Sequence, residues 1–187
     1  TVKKWDLKTD QLLQTLKGHT HGINCLAICE KEKCLYTGSA DETVKKWDLK
    51  TGQLLHTLEG HTHNLWSYNI NCLAICEKEN SLYTVSGDRT VKKWDLKTGQ
   101  LLQTLEGHSR IVDAHNCLAI CENENCFFTA SRWKKTVKKW DLKTDQLLQT
   151  LKGHTHGINC LAICEKEKCL YTGSADETVK KWETGQL

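Results

Sequence analysis

The 187-residue chain contains no proline and no methionine. Average usage of about 5% would give roughly nine prolines at this length, so turns must rest on Gly, Asn, Asp and Lys. With not even an initiator methionine, the sequence is expected to be an interior piece of a longer product. Long apolar runs are missing too: Cys25-Leu26-Ala27-Ile28-Cys29 is as long as they get. A membrane-spanning helix needs ~18 or more apolar residues, so none is expected. No N-terminal apolar segment suggests a signal peptide. Charge of one sign is also lacking. The net charge is +3 on 26 basic and 23 acidic residues, too balanced to favour nucleic acid or a membrane surface as partner.

What remains is ordinary for a folded chain, with 39% hydrophobic and 26% charged residues. The eleven cysteines are an odd number, and they fall short of the ~8–10% of a disulfide scaffold. Without an export signal, they are expected to be thiols in a reducing compartment, cytoplasmic or nuclear. There they behave as small apolar side chains.

A repeat dominates the sequence. The string Thr-Val-Lys-Lys-Trp ends at Trp5, Trp47, Trp94, Trp140 and Trp182, with spacings of 42, 47, 46 and 42 residues. Gly-His pairs end at His19, His61, His108 and His154. Residues 1–47 and 136–182 are identical. A period of ~40–45 residues points to a propeller or solenoid.

Each unit reads as four short strands separated by turn signals. In the first full copy they run over Asn24–Cys29, Cys34–Ser39, Thr43–Asp48 and Gln53–Leu58. The first of these has apolar residues on both faces and is expected to be buried on both sides.

Gly-His, a hydroxyl-bearing second strand, a turn Asp and a Trp-Asp end, in that order and in register, resemble the WD-repeat β-propeller family. The resemblance covers essentially the whole chain. It implies an all-β fold of about four four-stranded antiparallel blades. One propeller segment would span 1–187, with a partial repeat at 1–19, repeats at 20–61, 62–108 and 109–154, and a truncated final one at 155–187. Gln11 to Leu16 would complete the blade of Asn159 to Trp182 if four blades closed a ring. An incomplete ring, an open arc with bare terminal faces, is the expected form.

The resemblance also implies a hydrogen-bonded set in each blade: His19, Thr37, Asp41 and Trp47; His61, Thr84, Asp88 and Trp94; His154, Thr172, Asp176 and Trp182. Buried indole and imidazole N–H groups need such partners. The third copy has His108, Thr129 and Trp140, but its turn, Ser131-Arg132-Trp133-Lys134-Lys135, is one residue longer and has no Asp. Polar groups repeated in every blade mostly satisfy one another, so no catalytic site is expected.

No metal and no cofactor are expected either. Pairs such as His19 and His21 would lie far apart on adjacent blades, whereas a structural zinc needs four converging ligands. Cys29 and Cys34 flank a turn, but Ser81 replaces the second cysteine in the next copy, which favours packing over a disulfide. Lys46, with Lys4, Lys93, Lys139 and Lys181, lies on the face opposite Trp47. Its stem is expected to pack while its ammonium reaches an edge; a phosphate-binding stripe is the alternative.

The copies differ in few places. The second adds residues after its Gly-His, including Leu65, Trp66 and Tyr68; the third adds some there, around Arg110, Ile111 and Val112, and one more within Arg132–Lys135. In the family, these loops open on one rim. Insertions on one face often mark the binding face, and aromatic residues with Arg are typical interface anchors. Leu65, Trp66, Tyr68, Arg110, Ile111, Val112, Arg132, Trp133, Lys134 and Lys135 are therefore the candidate partner-binding residues. The expected function is a non-catalytic scaffold for partner proteins or peptides. Phosphate or nucleic-acid binding, or a self-associating structural array joined through exposed terminal blades, are the alternatives.

Overall fold

The computed structural model describes residues 1–62, 69–106, 117–131 and 133–183. Among them are seventeen β-strands and no helix. β1 (Val2–Trp5) and β2 (Leu12–Leu16) form a two-stranded sheet. Three four-stranded sheets follow. The first is β3 (Ile23–Cys29), β4 (Cys34–Ser39), β5 (Val44–Asp48) and β6 (Leu54–Leu58). The second is β7 (Ile70–Cys76), β8 (Ser81–Ser86), β9 (Thr90–Asp95) and β10 (Leu101–Glu106). The third is β11 (Cys117–Cys121), β12 (Cys126–Ser131), β13 (Thr136–Asp141) and β14 (Leu147–Lys152). The last sheet has three strands, β15 (Ile158–Cys164), β16 (Cys169–Ser174) and β17 (Val179–Glu183). Every pairing is antiparallel and joins strands consecutive in sequence.

Turns without proline are built from Asx geometry. Asp48 Oδ1 accepts the backbone N–H groups of Lys50 at 2.9 Å and Thr51 at 2.6 Å. Asp6, Asp95 and Asp141 do the same in their copies. The turn ends in a left-handed residue, Gly52 or Gly99 in two copies and Asp10 or Asp145 in the others. The hairpin between the first two strands of each sheet ends in a second left-handed residue: Lys33, Asn80, Asn125 or Lys168. Asn tolerates that region better than Lys does.

The sheets stack face to face, with β3, β7, β11 and β15 packed side by side along the inner edge. The core therefore lies between sheets. Cys34, Tyr36 and Val44 of one sheet meet Leu73, Leu82, Trp94 and Leu96 of the next. Tyr83, Val85 and Val91 meet Leu118, Phe127, Trp140 and Leu142 in the same way. Full burial of a side chain such as Leu82 contributes about 2 kcal/mol. Every residue of β4, β8 and β12 is buried because both faces of these strands are covered.

The arrangement is open. β2 pairs with β1, so Gln11 to Leu16 does not complete the sheet of β15–β17. Val179 is 72% exposed at one end and Leu26 58% exposed at the other. The expectation that the first strand of each unit is covered on both faces fails for β3. Leu26 and Ile28 are exposed there because their face looks outward from the open end.

Candidate functional site

Gly-His begins each network, and the glycine has a steric reason. A Cβ on Gly18 would stand 2.8 Å from the Trp47 ring, and one on Gly153 would stand 2.9 Å from Trp182. The following His19 then reaches two partners. Its Nδ1 lies 2.7 Å from Asp41 Oδ2 and its Nε2 lies 2.8 Å from Thr37 Oγ1. Trp47 Nε1–H donates to the same Thr37 oxygen at 2.9 Å. One consistent proton order links all four residues. The indole donates to the threonine oxygen, the threonine hydroxyl to the histidine, and the histidine Nδ1–H to the carboxylate.

The second copy repeats this geometry. His61 lies 2.7 Å from both Asp88 and Thr84, and Trp94 donates to Thr84 at 2.8 Å. In the last copy His154 lies 2.8 Å from Asp176 and from Thr172, and Trp182 donates to Thr172 at 2.9 Å. In the third, Trp140 donates to Thr129 at 2.8 Å; His108 lies outside the described residues.

The carboxylate also staples the rim. Asp41 accepts from the Thr20 N–H at 3.0 Å, the Thr43 N–H at 3.1 Å and the Thr43 hydroxyl at 2.6 Å. Burial pushes its carboxyl up, but these hydrogen bonds and the one from His19 prevail and hold it at about 2. Burial opposes ionisation of Asp88 too; there the hydrogen bond and charge of His61, with Thr90, hold it at about 2. Such a group lacks a free nucleophile. The Thr37 and Thr84 hydroxyls are fully buried and already engaged, so the set ties a loop to a turn rather than performing chemistry.

On the rim above it, Trp133 is 58% exposed, and Lys134 and Lys135 are exposed beside it. The Lys134 N–H donates to Ser131 Oγ at 3.2 Å, much as Asp41 N–H donates to Ser39 Oγ at 3.1 Å. Leu65, Trp66, Tyr68, Arg110, Ile111, Val112 and Arg132 lie outside the described residues. A cleft of about 590 Å³ opens on the first full copy, lined by Thr20, His21, Ala40, Asp41, Glu42 and Asn69.

Three of the five repeated lysines, Lys4, Lys46 and Lys93, form joints between sheets. Lys46 and Lys93 are buried. Their Nζ atoms donate to the carbonyls of Leu96, at 2.7 Å, and Leu142, at 3.0 Å, in the next sheet. The Tyr36 and Tyr83 hydroxyls reach the same two carbonyls at 3.0 and 3.4 Å. Lys93 also pairs with Asp145. Lys4 reaches the Leu49 carbonyl at 3.0 Å. Lys139 is buried as well, whereas Lys181 is half-exposed and pairs with Glu167. The double use of one carbonyl was not read from the sequence. Its only signal there was the recurrence of Tyr two residues after the start of the second strand.

Cys29 faces Cys34 across its hairpin, and all eleven cysteines are free thiols. Among the described residues, one group of three potential metal donors occurs: Cys164, Glu167 and Cys169. Its carboxylate already accepts from Lys181 at 2.9 Å and from the Tyr171 hydroxyl at 3.4 Å.

Comparison with known proteins places these features in context. Residues 10–48, 52–95, 99–141 and 145–183 match the family described as WD domain, G-beta repeat. An uncharacterised WD repeat-containing protein of Schizosaccharomyces pombe is 44% identical over 41 residues, 22% of this chain and only 11% of that protein's length. Among solved structures, the computationally designed Ika4 protein superposes with a TM-score of 0.76 at 33% identity, over 91% of this chain and 96% of that one. The computationally designed Ika8 protein gives 0.79 at 35% identity, over 98% of this chain and 52% of that one. U3-55K, at 24% identity and a TM-score of 0.79 over 91% of this chain and 51% of its own, shares the fold.

Proposed function

This chain belongs to the WD domain, G-beta repeat family, whose fold serves generally as a protein-interaction scaffold, and we propose that its partner proteins or peptides dock on the rim that bears the enlarged loops. The observation that carries this reading is Trp133. Where two other full copies have a compact Ala-Asp or Gly-Asp turn, the third extends the turn and exposes an indole to solvent. Exposed aromatics are the usual anchors of interfaces. Lys134 and Lys135 flank it, which suits an acidic or phosphorylated segment. The family is generally non-enzymatic, and the engaged, buried hydroxyls of the networks accord with that. Eleven free thiols suit a reducing, cytoplasmic setting.

The test compares partners recovered by the wild-type chain with those recovered by a Trp133→Ala, Lys134→Ala, Lys135→Ala variant. Lys31→Ala and Lys166→Ala, on the opposite rim, serve as the control. Partners retained by the control and lost from the Trp133 variant support the reading. Equal recovery by all three proteins overturns it.

A further inference from the structure

The two ends of this 187-residue chain present complementary halves of one sheet. β15–β17 provides the first three strand positions, and among the described residues β17 has no partner on its outer edge. β1–β2 provides the third and fourth positions. The faces match as well. Tyr171, Val179 and Lys181 occupy the places of Tyr36, Val44 and Lys46, which elsewhere press on the next sheet. Here Val179 is 72% exposed. At the other end, Leu26, Ile28, Leu35 and Leu49 occupy the places of Leu73, Ile75, Leu82 and Leu96, which elsewhere receive that pressure. Leu26 and Ile28 are 58% and 51% exposed. A largely apolar cleft of about 250 Å³ lies between them and β1–β2, on the face that first and second strands cover in the complete sheets.

We propose that a second copy of this chain packs on this face, head to tail. The β15–β17 sheet of one copy enters beneath β2 of the other, and β17 takes the place of β1. The register is already written. β1 and β17 share Val-Lys-Lys-Trp, so β17 meets β2 as β13 meets β14, with Val179 opposite Leu16 as Val137 is opposite Leu151. The Leu49 carbonyl, which now accepts from Lys4, then accepts from Tyr171 and Lys181. Two such junctions about a two-fold axis close eight complete sheets. The curvature favours a second copy over the chain's own far end. Nearly the whole chain follows about half of a longer relative, so another half separates its ends. This docking is independent of the rim.

Light scattering and sedimentation on the 21.3 kDa chain test the proposal. A discrete, concentration-dependent doubling of mass is expected. Val179→Asp on one face, or Leu26→Asp on the other, should weaken it at least tenfold with an unchanged β-sheet circular dichroism spectrum. Deleting residues 1–6, which include β1, should leave the dimer as tight or tighter, because that strand is displaced. Labelling of the exposed thiol Cys160 should slow as the dimer forms. A monomer at every concentration, open-ended growth, a dimer indifferent to both aspartates, or loss of the dimer without β1 would each overturn the proposal.

Discussion

Lys93 Nζ lies 3.2 Å from each carboxylate oxygen of Asp145, although the lysine belongs to β9 and the aspartate to a turn of the next sheet. Both side chains are nearly buried. Asp145 sits at a left-handed turn position that two other copies fill with Gly52 and Gly99. A glycine there would relieve about 1 kcal/mol of backbone strain. It would also leave Lys93 without its counter-ion, and breaking a buried pair costs about 3 kcal/mol. Asp145→Gly is therefore expected to destabilise by about 2 kcal/mol. Asp10→Gly, at a similar left-handed φ but exposed, should instead stabilise by up to about 1 kcal/mol. Urea unfolding of both variants checks the opposite signs.

Thr84 is the hub of its network, accepting from Trp94 and meeting His61. Valine has nearly the same shape but no oxygen. Thr84→Val leaves two buried polar groups without partners, and each costs about 1–3 kcal/mol. A loss of roughly 3 kcal/mol in equilibrium unfolding is expected. A loss under about 0.5 kcal/mol would mean that the network contributes nothing net.

Acid should weaken the fold in a defined window. Asp41 and Asp88 are held at about 2, below their ordinary 3.8. A depressed carboxyl stabilises the folded state fully above its unfolded value and loses that contribution as pH falls through the folded one. Stability should therefore drop between about pH 4 and pH 2. The turn carboxylates Asp6, Asp48, Asp95 and Asp141 are also held low, chiefly by backbone N–H groups, and add to the slope. Asp88→Asn should make the fall shallower without removing it, as measured by thermal unfolding across that range.

Burial pushes the thiols of Cys25, Cys117 and Cys126 up to about 12 and that of Cys76 up to about 11. The thiolate is the reactive form. At pH 8, a disulfide-exchange reagent should label accessible Cys160 quickly and these four only on unfolding. Labelling of all eleven at one rate in the native protein would contradict the burial.

Period and strand order were legible because each rests on local pattern repeated in register, whereas the four-residue networks followed from the resemblance to the WD-repeat family. Burial was not. Trp5 and Trp140 end identical stretches, yet Trp5 is 53% exposed and Trp140 only 4%. The same holds for Leu26, exposed, against its copy Leu161, which packs on the sheet before it. A neighbour supplied by the fold, absent from the sequence window, makes that difference. The lysines were ambiguous for a related reason. The acceptor of Lys4, Lys46 and Lys93 is a backbone carbonyl in the following sheet, and carbonyls leave no mark in a sequence. The rim was legible only as differences in loop length.

The paired use of the Leu96 and Leu142 carbonyls has a consequence for how such a chain can change. Phe128 stands where Tyr36 and Tyr83 carry their hydroxyls, and the last copy runs Trp182-Glu183-Thr184-Gly185, without the Leu-Lys that follows Asp48. The third junction therefore lacks the hydroxyl donor that the first two carry. Gene duplication copies a repeat, but each junction is held jointly by two copies. A change at one junction is therefore felt by two copies at once, although it is written in only one of them.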